Sequence, residues 1–118
     1  MSKKTILVVD DDVDTVMSIK AILRSKGHTV ITAYGAAEGL KKYTSGNPDI
    51  ILLDLMMEKV DSGITLCREI RKTDRKSKIY LLSAVGDETA NTLDTHDIGF
   101  DGAMSKPVSP DELLLLVE

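Results

Sequence analysis

The sequence predicts a doubly wound α/β domain, in which a parallel sheet is covered by helices on both faces. Short apolar runs typical of strands alternate with segments whose apolar residues recur at helical spacing. This alternation implies right-handed crossovers and a parallel sheet. The chain has 118 residues, of which 42% are hydrophobic. That length supports one globular domain with a real core and is too short for two.

Five segments are predicted as strands from their short apolar runs. They are residues 5–10 (TILVVD), 28–33 (HTVITA), 49–54 (DIILLD), 78–83 (KIYLLS) and, with a weaker pattern, 101–105 (DGAMS). The third strand has four successive aliphatic residues before its last position, which is the composition of a buried strand.

Five further segments are predicted as helices. They are residues 13–26, 36–45, 63–73, 87–98 and 109–118. Gly27 and Gly46 follow the first two, as is common at helix ends, while Ser109 and Pro110 suit the N-cap and first position of the last. The segment 87–98 has few apolar residues and several poor helix formers, so tertiary packing must hold it.

Composition and charge argue against several kinds of protein function and location. The formal charge of −4 gives no support to nucleic-acid binding. No segment resembles a signal peptide or a membrane span, so a cytoplasmic location is the expectation. Cys67 is the only cysteine, which excludes an internal disulfide and a thiolate metal site, and its surroundings suit a small buried apolar residue.

Polar residues stand at the carboxyl ends of the predicted strands. Asp10 and Asp11 end the first, Asp54 the third and Ser83 the fourth, and the fifth continues into Lys106. Ligands of such sheets bind at this edge, so these side chains are expected to converge there. Burying the unpaired Asp54 carboxylate in the core beside this apolar run would cost several kcal/mol. The cost is avoided if Asp54 lies among polar groups at the end of the strand.

Four motifs resemble the receiver domain of two-component response regulators. They are ILVVDDD at 6–12, IILLDLMM at 50–57, LLSA at 81–84 and GFDGAMSKP at 99–107. The resemblance covers essentially the whole chain and implies one receiver domain over residues 1–118. It also implies a flavodoxin-like, five-stranded parallel sheet of order 2-1-3-4-5 with five helices on its two faces.

The resemblance further implies a phosphoacceptor role. Asp54 would take a phosphoryl group from a phosphohistidine on a histidine kinase or a histidine phosphotransfer protein. Lys106 would pair with Asp54, and after the transfer Lys106 and Ser83 would both contact the phosphoryl group. Such a domain is not an enzyme with a separate substrate, since it promotes only its own phosphotransfer and slow autodephosphorylation. Its output surface would be the fourth helix, fifth strand and fifth helix, which would contact a second copy or an output domain.

The same resemblance implies Mg²⁺ as the cofactor. Asp11 would be a direct ligand, Asp10 would act through water, and Asp54 and the backbone carbonyl of Met56 would complete the protein ligands. Carboxylate and carbonyl oxygens suit this hard cation. Asp12 or Asp14 instead fits the role of helix cap.

Two alternatives can be compared with this interpretation. A haloacid-dehalogenase type phosphatase carries a second aspartate two residues after its nucleophile, and that position is Met56 here. The sequence contains no G-x-x-x-x-G-K-[ST] loop and no G-x-G-x-x-G motif after the first strand, so neither of these nucleotide-binding motifs is present. A receiver-like interaction module that signals without phosphorylation stays open, although such modules normally lose some of the acidic residues.

The sequence departs from the family pattern at several positions. Glu58 replaces a usual proline, and the connection to Gly63 is one residue longer. Ala103 stands where an aromatic ring often rotates on activation, so the signal is expected to pass through residues 84–98 instead. Residues 113–117 are five successive apolar residues, which cannot all face one core, so part of that surface is expected to meet a partner.

Overall fold

Five parallel strands form the centre of the molecule. A computed structural model describes residues 3–55, 57, 59, 61–83 and 95–118. The strands are β1 (Thr5–Val9), β2 (Thr29–Ala33), β3 (Ile50–Asp54), β4 (Lys78–Ser83) and β5 (Gly102–Ser105). They pair in the order β2-β1-β3-β4-β5, and every pairing is parallel. The predicted fold class and strand order are therefore confirmed.

Each predicted strand agrees with the observed one to within one residue at either end. The extra predicted residues include Asp10, Asp49 and Asp101, which lie just beyond the regular ladder. Their amides still donate to a neighbouring strand, at 3.1 Å for Asp10 to the Ala33 carbonyl and 2.7 Å for Asp101 to the Ile79 carbonyl. Hydrogen bonding between neighbouring strands thus continues for one residue beyond the regular strand.

Five helices are present in the described part of the chain. They are α1 (Val13–Ser25), α2 (Ala36–Gly46), α3 (Ser62–Arg71), α4 (Thr95–Ile98) and α5 (Pro110–Val117). The Asp12 side chain caps α1 by accepting the amide of Asp14 at 3.2 Å and the hydroxyl of Thr15 at 2.7 Å. Ser109 caps α5, and Pro110 opens it, as predicted.

Some predicted helix ends are wrong by one or two residues. Helix α2 includes Gly46 because Asn47, with φ of 47°, supplies the left-handed C-cap that was expected of the glycine. Helix α3 spans 62–71 and not 63–73, because the amides of Thr73 and Asp74 both turn back to the Ile70 carbonyl. Of the predicted helix 87–98, the part 87–94 lies outside the described residues.

Two apolar layers cover the two faces of the sheet. Alternate residues of β1 point to opposite sides, so Leu7 and Val9 join one layer while Ile6 and Val8 join the other. Helices α2, α3 and α4 supply the first layer, which includes Ile70 and Phe100. Helices α1 and α5 supply the second, which includes Ile19, Leu23, Leu113 and Val117. Both faces are therefore covered, as the apolar runs predicted.

Cys67 lies in the first of these layers with no exposed surface. Burial raises the pKa of its thiol to about 11, so the thiolate is scarce at neutral pH. The interpretation of Cys67 as a small buried apolar residue is confirmed.

The apolar run of α5 divides between core and solvent. Leu113 and Val117 are fully buried, whereas Leu115 is 71% exposed. One helix face therefore packs on the sheet and another stays open, as five successive apolar residues require.

In the ranges that the structure describes, no helix has the length and apolar character needed to cross a membrane.

Candidate functional site

The carboxyl ends of four strands meet at one edge of the sheet. Asp10 directly follows β1, Asp54 and Ser83 are the last residues of β3 and β4, and Lys106 directly follows β5. The Lys106 amide donates to the Ser83 carbonyl at 2.8 Å, which fixes where the lysine leaves the sheet. The Lys106–Pro107 peptide bond is cis. The parallel order thus places a hydroxyl, an ammonium and carboxylates side by side.

The ammonium of Lys106 joins two of the carboxylates. Its Nζ lies 2.6 Å from Asp10 Oδ2 and 3.1 Å from Asp54 Oδ1. Asp10 is completely buried, and Asp54 retains 8% of its surface. Taking these charges out of water is costly, and the mutual contacts offset part of that cost.

One oxygen of Asp10 lacks a hydrogen bond despite its closeness to the lysine. Asp10 Oδ1 accepts the amide of Asp12 at 2.9 Å. Oδ2 makes the short ion pair with Lys106, yet it has no hydrogen-bond partner among the described residues. A buried carboxylate oxygen in this position favours a cation as an additional partner.

Within the cluster, the surrounding charges and burial change the pKa of the Asp54 carboxyl group. Burial and then repulsion by Asp10 raise the pKa of Asp54 to about 6, and the hydrogen bond and charge of Lys106 only partly oppose this. Burial alone would lower the pKa of Lys106, but its close contacts with the negatively charged Asp10 and Asp54 outweigh burial and raise it. At pH 7 the lysine is charged and Asp54 is mostly ionised.

Three carboxylates could share a metal ion here. Asp10, Asp11 and Asp54 each offer an oxygen within 4.8 Å of the others. Asp11 is exposed and so can bind an ion that arrives from solvent. Oxygen ligands and an excess of negative charge over the single lysine suit a hard divalent cation. The buried Asp10 oxygen, which has an ion pair with Lys106 but no hydrogen bond among the described residues, is compatible with this fit.

The structure brings together most of the predicted site residues. Asp10, Asp11, Asp54 and Lys106 form one cluster. Ser83 ends the neighbouring strand and is half-buried. Met56 and Glu58 lie outside the described residues.

One contact was not predicted from the sequence. Lys106 was expected to pair with Asp54, whereas its shorter contact is with Asp10, at 2.6 Å against 3.1 Å. No local pattern marks this pairing, since β1 and the residues after β5 are joined only by the folded sheet. Ala103, also singled out in the sequence, is exposed on β5 opposite Leu81.

Comparison with known proteins agrees with this arrangement. The family described as "Response regulator receiver domain" matches residues 6–118. The chain is 40% identical over 113 residues to the alkaline phosphatase synthesis transcriptional regulatory protein PhoP of Bacillus subtilis, covering 96% of this chain and 46% of that protein. It is 37% identical over 109 residues to the response regulator MprA of Mycobacterium ulcerans, covering 92% and 46%. The chain therefore spans about half the length of these relatives.

Solved structures show the same fold. A CheY-like response regulator receiver domain protein from Methanospirillum hungatei superposes with a TM-score of 0.87 at 30% identity, covering 98% of this chain and 91% of that one. The receiver domain of a Francisella response regulator gives 0.84 at 33% identity, covering 98% and 93%. Relatives of this kind act in signal transduction, and their receivers are generally phosphoacceptors. The chain belongs to the family of response regulator receiver domains of two-component systems.

Proposed function

We propose that this chain is phosphorylated on Asp54 by a histidine kinase or a histidine phosphotransfer protein. The observation that carries the proposal is the contact of the Lys106 ammonium with Asp54 and Asp10 at the carboxyl edge of the sheet. Asp10 is completely buried, whereas the Asp54 side chain is 11% exposed and can meet a donor. Membership of the receiver family supports a phosphoacceptor role in general.

The chemistry requires a carboxylate nucleophile. An Asp54 oxygen attacks the phosphorus of the donor, so that an O–P bond forms and the P–N bond to the imidazole breaks. The imidazole keeps the electron pair and takes up a proton. A carboxylate needs no general base, and a pKa of about 6 leaves Asp54 mostly ionised at pH 7. The product is an acyl phosphate, which the same site later hydrolyses slowly.

Charge at the transferring group must be neutralised by the surrounding side chains. A phosphoryl group brings about −1.5 to −2 charges. Lys106 already lies within 3.1 Å of Asp54 and supplies one positive charge, and the Ser83 hydroxyl can donate a hydrogen bond. Orientation and charge neutralisation are the main contributions that a protein makes to phosphoryl transfer.

We assign Mg²⁺ as the cofactor of this site. Asp10, Asp11, Asp54 and the Met56 carbonyl would hold it, with Asp11 as a direct ligand and Asp10 acting through water. When bound, the ion would stabilise the negative charge on the phosphoryl oxygens. The mutual closeness of the three carboxylates, whose negative charge the single Lys106 offsets only in part, supports this assignment.

Phosphorylation would alter the surface formed by α4, β5 and α5. Ser83 would be drawn toward the new phosphoryl group, and the chain after it, residues 84–98, would carry the change. Ala103 has no ring to move with it. This surface would contact a second copy of the chain or an output domain, and Leu115, which is 71% exposed on α5, would lie in that contact. Altered hydrogen exchange within 84–98 on adding beryllofluoride would agree with this route, and a change confined to residues 56–63 would contradict it.

The proposal is tested by labelling with a small phosphodonor. Incubation with acetyl phosphate and Mg²⁺ should add one phosphoryl group, detected by intact mass and removed by hydroxylamine. Asp54→Asn should abolish the addition. Asp12→Asn is the matched control, because Asp12 is an exposed cap at the same edge and asparagine caps a helix about as well. This variant should be labelled like the wild type.

Two results would contradict the proposal. If Asp54→Asn is labelled as fully as the wild type, another group is the acceptor. If the folded wild type is never labelled, the chain is a receiver-like interaction module that signals without phosphorylation.

A further inference from the structure

Gly63 lies directly against the backbone of the proposed phosphoacceptor. It is the second residue of α3 and is buried. A Cβ atom at this position would stand 2.2 Å from the Asp54 carbonyl oxygen and 3.0 Å from both the Asp54 carbonyl carbon and Leu55 Cα. All three atoms belong to the backbone, so no side-chain rotation can relieve the overlap.

The requirement for glycine here is one of space and not of backbone conformation. Gly63 sits inside a regular helix, whose dihedral angles any residue can adopt. In contrast, Gly27 and Gly99 have φ of 86° and 126°, which other residues rarely adopt. A substitution at Gly63 would therefore act through contact with Asp54 and Leu55 alone.

The close approach holds the end of β3 between two elements. The Gly63 amide donates to the Leu55 carbonyl at 2.9 Å, and the Leu55 amide donates to the Leu82 carbonyl of β4 at 3.2 Å. The backbone at Asp54 and Leu55 is thus fixed by α3 on one side and by β4 on the other. The Asp54 carboxylate extends from this fixed backbone to its contact with Lys106.

We propose that Gly63 is a positioning residue for phosphotransfer, which acts by letting the first turn of α3 close on the Asp54 carbonyl and so sets the place of the Asp54 carboxylate relative to Lys106 and Asp10. This inference rests on the proposed function of Asp54. It adds a residue that contacts neither the donor nor a metal ion.

A methyl group at Gly63 has a specific expected effect. The 2.2 Å overlap must widen by about 1 Å before it becomes an ordinary contact, so β3 and α3 must separate at Asp54. A misplacement of about 1 Å can reduce a rate on the order of a hundredfold when alignment limits the reaction. We therefore expect Gly63→Ala to lower the maximal rate of phosphorylation at least tenfold.

The experiment compares Gly63→Ala with Gly46→Ala. A Cβ at Gly46 would meet the Cδ1 of Ile31 at 2.4 Å, which is the end of a flexible side chain, and Gly46 lies at the opposite edge of the sheet, before β3 begins. Both variants carry an added methyl group at a crowded helical glycine. Phosphorylation by acetyl phosphate is followed at saturating Mg²⁺, at a temperature where circular dichroism shows each protein fully folded.

The expected result distinguishes an effect on the alignment of Asp54 from an effect on acetyl phosphate binding and from a loss of protein stability. In Gly63→Ala the maximal rate should fall at least tenfold, while the acetyl phosphate concentration giving half of that rate should change less than twofold. Gly46→Ala should keep the wild-type rate. A wild-type rate in Gly63→Ala, or an equal loss in both variants, would overturn the inference. If the wild type itself takes no label, the proposed function fails instead.

A second variant applies if Gly63→Ala does not fold. The Ser62 hydroxyl accepts the Lys59 amide at 2.9 Å and closes the turn that leads into α3. Ser62→Ala removes this hydrogen bond without adding an atom, so the first turn of α3 should be held less firmly against the Asp54 carbonyl and the maximal rate should fall about two- to fivefold. An unchanged rate in Ser62→Ala would then overturn the inference.

Discussion

Among single residues, Asp54 is held where its negative charge is electrostatically unfavourable. Burial and the neighbouring Asp10 raise the pKa of Asp54 to about 6, from an ordinary value of 3.8. Its ionised form therefore destabilises the fold at neutral pH. The same ionised form is the nucleophile that the proposed reaction needs, so local stability is lower where the chemistry takes place.

Replacing this charge should make the metal-free protein more stable. Well below pH 3.8 the carboxyl is protonated in both the folded and the unfolded chain. As pH rises from about 4 to 6 the unfolded chain loses this proton first, so stability falls, and above about 6 the full cost remains. Asp54→Asn should thus raise the free energy of unfolding at pH 7 by about 1–3 kcal/mol, with no gain near pH 4.

Urea unfolding in the presence of a chelator measures this effect. Asp61→Asn serves as control, because Asp61 is exposed and its side chain makes no capping hydrogen bond. This control should change stability by less than about 0.5 kcal/mol. A loss of stability in Asp54→Asn at pH 7 would contradict the assigned electrostatics.

Among the structural elements, α3 is linked by the guanidinium of Arg71 to the connection between α4 and β5 and to the connection between α3 and β4. Its Nε donates to the Gly99 carbonyl at 2.9 Å, and its Nη1 donates to the carbonyls of Asp74 and Ser77 at 3.2 and 2.8 Å. Its Nη2 pairs with Asp101 at 2.8 Å. One side chain thus fixes the end of α4 and the start of β5 against α3.

Substituting Arg71 with lysine should break most of this linkage. Lysine keeps the charge but cannot direct donors to several acceptors in one plane. Since the Arg71 side chain is only 14% exposed, the carbonyls left unpaired should lower stability by about 2 kcal/mol. Arg68→Lys, on the exposed side of the same helix, should change stability by less than about 0.5 kcal/mol. Urea unfolding compares the two, and equal stabilities would refute the role of Arg71.

The elements themselves were largely predictable from the sequence, and the reasons differ among them. Strands such as β3 are apolar on both faces, so composition identifies them within one residue. The end of α2 was missed because a glycine and an asparagine adjoin, and only the fold decides that Asn47 becomes the left-handed cap. The Lys106 contact with Asp10 was missed because it depends on side-chain placement across the sheet, which no local pattern encodes.

At the scale of the whole molecule, metal binding at the strand ends should stabilise the entire fold. The three carboxylates of the cluster repel one another, and one lysine offsets them only in part. A cation that binds the folded chain alone adds about 2.7 kcal/mol when its concentration is 100 times the dissociation constant. We expect the melting temperature to rise with millimolar Mg²⁺ and the rise to vanish in Asp11→Asn. A melting temperature that ignores Mg²⁺ in the wild type would argue against the metal site.

We propose above that the fold delivers one reactive carboxylate, Asp54, to a phosphodonor, and this claim can be tested at the level of single positions. Borohydride reduction of the phosphorylated protein tests this most directly, because it converts an acyl phosphate, but not a free carboxylate, to an alcohol. Peptide mass spectrometry after treatment with acetyl phosphate and Mg²⁺ should then find homoserine at position 54 alone. Homoserine at position 10 or 11, or at no position in a protein that stays folded, would contradict the claim.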